Sequence, residues 1–146
     1  MPEPLVDAQP PALPRDQLRL ISLGWALQAA MVAGAVVVVP HALHPPLASG
    51  LDSALRAGGC GFFYGLLAFH LQRVDPDDGH LQAGLVGAVC AIRSLAAPAP
   101  WGAGEVAGPL EVMMAGLRTW LPLWLPLVAA ALWLRGVQRL LPAPRP

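Results

Sequence analysis

Four apolar runs organise the chain, each close to the length of a membrane-crossing helix. Leu20 to Val39 is twenty residues long, with Gln28 as its only strongly polar member. At about 1.5 Å per residue such a run crosses a hydrocarbon core of about 30 Å. Pro40 is expected to end it, because proline has no N–H to continue a helix. Leu51 to Leu71 follows, with Asp52 and Arg56 one helical turn apart at its start, where they can pair. Leu81 to Ala97 is shorter and carries Arg93. Leu117 to Leu134 is the fourth, opened by Pro122 and Pro126 and followed by Arg135. No segment alternates with period two, so no barrel strands are expected. The pattern predicts an all-α integral membrane protein, a bundle of four transmembrane helices spanning about 20–39, 51–71, 81–97 and 117–134.

The connections fit this reading. Pro109 begins a short stretch with Leu110, Met113, Met114 and Leu117 on one face. It is too short to span, so a separate interfacial helix is expected before the fourth span. Asp75-Pro76-Asp77-Asp78-Gly79 reads as a tight turn, with Asp77 or Asp78 placed to cap the third helix. Residues 1–14 contain five prolines and little periodicity, and 142–146 are similar, so both are expected to be unstructured tails around one membrane domain at 15–141.

Orientation follows from the arginines. Arg15, Arg19, Arg73, Arg135, Arg139 and Arg145 fall on the side holding both termini, against Arg56 and Arg118 on the other. Positively charged flanks stay in the cytoplasm, so both termini are expected there, in a bacterial-type inner membrane. Trp25 and Trp133 would lie towards the inner interface, and Trp101, Trp120 and Trp124 towards the outer one. Ala33-Gly34-Ala35 after Arg15 and Arg19 resembles a signal cleavage site. Four valines then extend the run to full spanning length, so the segment is expected to remain.

Composition sharpens the class. Apolar residues make up 55% of the 146 and charged residues only 12%, about half the share typical of soluble domains. Nine arginines, no lysine and nine acidic residues give no net charge, so nothing points to a nucleic-acid partner. Lipid tails are as apolar as leucine, so membrane helices associate through small residues more than through hydrophobicity. The second span offers Ala57, Gly61 and Gly65, the third Ala83, Gly87 and Ala91, and the first Ala26, Ala30 and Gly34. Gly61, Gly65 and Gly87 are the expected helix-packing positions. These faces suit the bundle itself, a homo-oligomer or other membrane subunits.

Chemistry is sparse. Cys60 and Cys90 flank the hairpin near Pro76 at similar depth, and neighbouring second and third spans would bring their Cβ atoms to about 4 Å. A buried thiol in apolar surroundings is inert, so packing is the expected role and redox the lesser one. Arg93 is the one charge well inside a span, and intramembrane charges mark functional sites by default. It lies four residues from the end of its span, so it can snorkel outward or pair with Gln28, Glu105 or Glu111. His41, His44, His70 and His80 do not sit at one depth on facing helices, so no haem site is expected. No metal cluster, catalytic triad or phosphate loop is present in the pattern, and neither an enzyme nor a cofactor is expected. The function these features favour is an accessory or structural subunit of a larger membrane assembly. The alternative is a small homo-oligomeric transporter or channel with Gln28 and Arg93 on a polar path. A membrane thiol redox protein using Cys60 and Cys90 is the weakest of the three.

Overall fold

The structure is a computed structural model that describes residues 14–42, 47–75, 78–97 and 108–140. These form four α-helices: α1 Arg15–Ala42, α2 Leu47–Val74, α3 Gly79–Leu95 and α4 Pro109–Leu140. Among the described residues there is no strand. The fold is all-α with four helices, as the apolar pattern predicts, and two of the four have the length and apolarity of a membrane span. Only α1 (over Arg15–Pro40) and α4 are long and apolar enough to cross a membrane. At 17 residues, α3 is about 26 Å long, short of a hydrocarbon core of about 30 Å. Although α2 has 28 residues, polar side chains such as Asp52, Arg56, His70 and Gln72, together with several glycines, dilute its apolar character.

Two helix boundaries also differ from the expected ones. Pro40 does not end α1, which runs through it to Ala42. The expected interfacial helix is not separate, because the helix that Pro109 starts continues for 32 residues to Leu140. Pro109 therefore takes the first-turn position that tolerates a missing N–H. Pro122 and Pro126 lie mid-helix instead, where each costs one backbone bond to the carbonyl four residues back. Pro126 is fully buried beside Leu127, so packing holds the helix through it. At the start of α3, the Asp78 carboxylate accepts from the His80 N–H at 2.8 Å and the Leu81 N–H at 3.1 Å. That satisfies two of the donors a helix start leaves open. Asp77 lies outside the described residues, as do Trp101, Glu105, His44 and the two expected tails except Pro14.

Helices α1 and α2 pack antiparallel and form the most extensive pair. Small residues make this possible. Ala26, Ala29 and Ala33 of α1 are fully buried, at the three- and four-residue spacing of one helix face. They meet Gly61 and Gly65 of α2. A Cβ added to Gly61 would lie 2.6 Å from the Ala29 carbonyl oxygen and 2.9 Å from the Ala33 Cβ. At Gly65 it would lie 2.7 Å from the Ala26 Cα and from the Trp25 carbonyl oxygen. No side chain fits at those distances, so the two backbones approach only because both positions are glycine. Gly61 and Gly65 therefore pack against α1.

The rest of the core lies where α4 closes on the pair. Tyr64 and Ala68 of α2, Cys90 of α3, and Leu127, Ala130, Ala131 and Leu134 of α4 form one buried cluster with Ala29 and Ala33. Large apolar side chains lie on the outside. Leu20, Leu27, Met31, Leu55, Phe63, Ile92, Leu121 and Leu132 are all exposed, while alanine and glycine fill the seam.

Candidate functional site

Helix α3 divides its two faces sharply. Gln82, Val86, Val89, Cys90 and Arg93 recur every three or four residues and are half-buried or buried. Ala83, Gly87 and Ala91 recur every four residues on the other side and are exposed, with Gly84 and Ala88 beside them. Gly87 has no atom within 4 Å of where its Cβ would be, and neither has Gly84. Of the expected packing faces, the small-residue stripe of α3 with Gly87 makes no close contact within the bundle and faces outward.

Two hydrogen bonds tie the inward side of α3 to α4. Trp124 Nε1 donates to Ser94 Oγ at 2.7 Å, and Ser94 Oγ donates to the Cys90 carbonyl at 2.9 Å. Twelve residues earlier on α3, Arg135 Nε donates to Gln82 Oε1 at 3.3 Å. Both pairs were invisible in the sequence pattern, because their members are 30 and 53 residues apart. Trp124 packs against the core cluster, and so does Trp25, whose ring meets Phe69 edge-on at 5.8 Å.

Gln28 and Arg93, expected together on a polar path, have different surroundings. Gln28 Oε1 accepts from Trp133 Nε1 at 3.4 Å, a weak and exposed link between α1 and α4. The inward stripe of α3 carries Arg93, and its Nη1 is buried without a hydrogen-bond partner. Among the described residues, the ion pairs are Arg19 with Asp16 at 3.7 Å and Arg56 with Asp52 at 2.9 Å, both exposed. Glu111, one expected partner, is exposed in the first turn of α4. Glu105, the other, lies outside the described residues.

Cys60 and Cys90 are both free thiols. Cys90 belongs to the buried cluster and Cys60 packs against it. Cys90 also lies within electrostatic reach of Cys60 and of Arg93. The described residues contain no group of three or more His, Cys, Asp or Glu placed to hold a metal ion. No family model, curated protein or solved structure matches the chain. The distinctive features are thus a buried, unpaired guanidinium nitrogen on the inward face of α3 and an open stripe of small residues on its outward face.

Proposed function

We propose that this protein is a four-helix integral membrane protein acting as an accessory or structural subunit of a larger membrane assembly. The observation that carries the membrane reading is the inside-out distribution of side-chain size. Small residues fill the α1–α2 seam, while large apolar side chains face outward along α1, α2 and α4. The core helix of a soluble protein is mostly buried, yet only 22% of the apolar window in α1 and 28% of that in α4 is buried. Exposed leucines at that density need lipid or protein around them. Helix α1 is also fitted to the glycines of α2, which supports a retained span over a cleaved leader. The arginine distribution supports cytoplasmic termini, and the proposed location is a bacterial-type inner membrane.

The accessory role rests on the outward stripe of α3. A helix of 17 residues with Ala83, Gly87 and Ala91 open to the outside is suited to close approach by another transmembrane helix. Such a neighbour would also cover a helix that is short for the bilayer. Native mass spectrometry after mild solubilisation tests the proposal. The expected species contains this chain and other membrane subunits, and Gly87→Leu releases the chain as a folded monomer. A homo-oligomer alone would replace the accessory reading with that of a small transporter. Arg93 is the observation that favours this second reading, because transport paths through bilayers are lined by such groups. Reporter fusions after residue 146 and within 75–79 are expected to read as cytoplasmic, and fusions at 44–48 and 102–106 as external.

A further inference from the structure

We propose that Arg93 is the receptor for an oxyanion, a phosphate or carboxylate group held at the inward face of α3. The inference is independent of whether the chain works alone or within an assembly. Three observations carry it. The first is position: Arg93 continues the stripe of Gln82, Val86, Val89 and Cys90, so its side chain leaves α3 on the side that faces the other helices. The side-chain bonds of a helix lean towards its N-terminus, which for α3 is away from the nearer helix end. Simple outward snorkelling runs against that lean.

The second is an unmet demand. Nη1 of Arg93 is buried and has no hydrogen-bond partner. A guanidinium is a permanent cation with five donors, and removing it from water is costly unless an acceptor replaces the solvent. The third is that no ion pair holds Arg93 among the described residues. Arg93 lies in the last turn of α3; Asp16 is paired with Arg19, Asp52 with Arg56, Asp78 caps the far end of α3, and Glu111 is exposed in the first turn of α4. The neighbouring hydroxyl, Ser94 Oγ, already accepts from Trp124 and donates to the Cys90 carbonyl. A planar fork of donors with no carboxylate paired to it among the described residues is matched by an external phosphate or carboxylate, which takes two parallel N–H···O bonds. An anionic lipid headgroup and a free soluble anion both offer that chemistry.

Thermal unfolding of the full chain tests the site, after delipidation into a nonionic detergent micelle. Inorganic phosphate, acetate and phosphatidylglycerol are titrated separately into the wild type, Arg93→Lys and Arg93→Gln. The wild type is expected to gain about 5 °C or more, saturably, with at least one of the three. A gain with phosphatidylglycerol alone identifies a lipid headgroup, and a gain with phosphate or acetate identifies a soluble anion. Arg93→Gln loses the gain, and Arg93→Lys binds at least tenfold more weakly because an ammonium cannot make the paired bonds. Without anions, Arg93→Gln is expected to melt at or above the wild-type temperature, since it removes a half-buried charge whose Nη1 has no partner. The proposal is overturned if no anion raises the wild-type melting temperature, or if Arg93→Gln responds equally. It is equally overturned if Arg93→Gln melts lower in anion-free micelles, since the guanidinium would then be satisfied inside the chain.

Discussion

The α1–α2 seam and the outward face of α3 carry the same sequence device and use it in opposite ways. In both, small residues recur every four positions. At the seam, Gly61 and Gly65 meet the α1 backbone so closely that a methyl group would overlap it. On α3, Gly87 has the same spacing to Ala83 and Ala91 and meets nothing within 4 Å. Small-residue spacing therefore states that a helix can be approached closely, and leaves open by what. The seam is stabilised by contacts within this chain. The α3 face gains nothing within the chain, and its small residues become useful only when another helix arrives.

The most severe break in that contrast comes from filling the seam. Gly65→Leu places a branched side chain where the Ala26 Cα and Trp25 carbonyl oxygen already stand. No rotamer escapes a clash that begins at Cβ, so α1 must separate from α2. A loss of about 3 kcal/mol or more is expected, above the usual range for overpacking because backbone cannot yield as a side chain does. Unfolding by a denaturing detergent, followed by tryptophan fluorescence, measures it. Retention of wild-type stability would show that the seam is not the tightest contact of the fold.

A gentler version applies one substitution to both regions. Gly61→Ala adds a single methyl at 2.6 Å from the Ala29 carbonyl oxygen and 2.9 Å from the Ala33 Cβ. A cost of about 1–3 kcal/mol is expected in the same unfolding assay. Alanine is otherwise the better helix former, so any destabilisation reports the contact itself. Gly61→Ala combined with Ala33→Gly is expected to recover part of the loss, because the second change removes one of the two overlapping groups.

These tests mark how far the sequence could be read. The four helices were legible because each has a long apolar run, and the cap at Asp78 was legible because capping is local chemistry. So was the pairing of Asp52 with Arg56, one turn apart on one helix. Helix continuation through Pro40, Pro122 and Pro126 was not legible; burial in the core accounts for it at Pro126, whereas Pro40 and Pro122 are exposed. Which way each small-residue stripe faces was not legible, because facing depends on contacts between segments far apart in the chain. The same limit hid the links of Trp124 to Ser94 and Arg135 to Gln82. Arg93 stood out at once as a charge in an apolar run, but its unpaired nitrogen is a property of the packed helices.

The inward side of α3 depends on fewer contacts than the seam, and its hydrogen bond to α4 offers a test of intermediate size. Trp124→Phe keeps an aromatic side chain against the core cluster but removes the donor to Ser94 Oγ, a bond of 2.7 Å. A net loss of about 1 kcal/mol is expected. Ser94 retains its bond to the Cys90 carbonyl, so no buried donor is stranded. A loss as large as that of Gly65→Leu would mean that α3 is held mainly by this link, and would weaken the contrast with the seam.

The smallest effect should come from the outward face of α3, and its smallness is the point. Gly87→Ala adds a methyl group with no atom within 4 Å, so nothing in the chain is disturbed. Alanine loses less backbone freedom than glycine on forming a helix, which favours the substitution by up to about 1 kcal/mol in water and by less in a bilayer, where helices form readily. The isolated chain is therefore expected to unfold within about 0.5 kcal/mol of the wild type, or slightly later. Gly87→Leu should be similarly mild in isolation, because its longer side chain also projects into open space. The two variants separate only when the face is occupied. If another helix packs on Ala83, Gly87 and Ala91, a leucine at position 87 holds that helix off, and the assembled fraction on native gels should fall several-fold while the monomer stays folded. Alanine leaves room for close approach and should assemble nearly as the wild type does. Equal assembly of Gly87→Leu and wild type would mean that this face meets lipid, and the accessory-subunit proposal would lose the surface on which it stands.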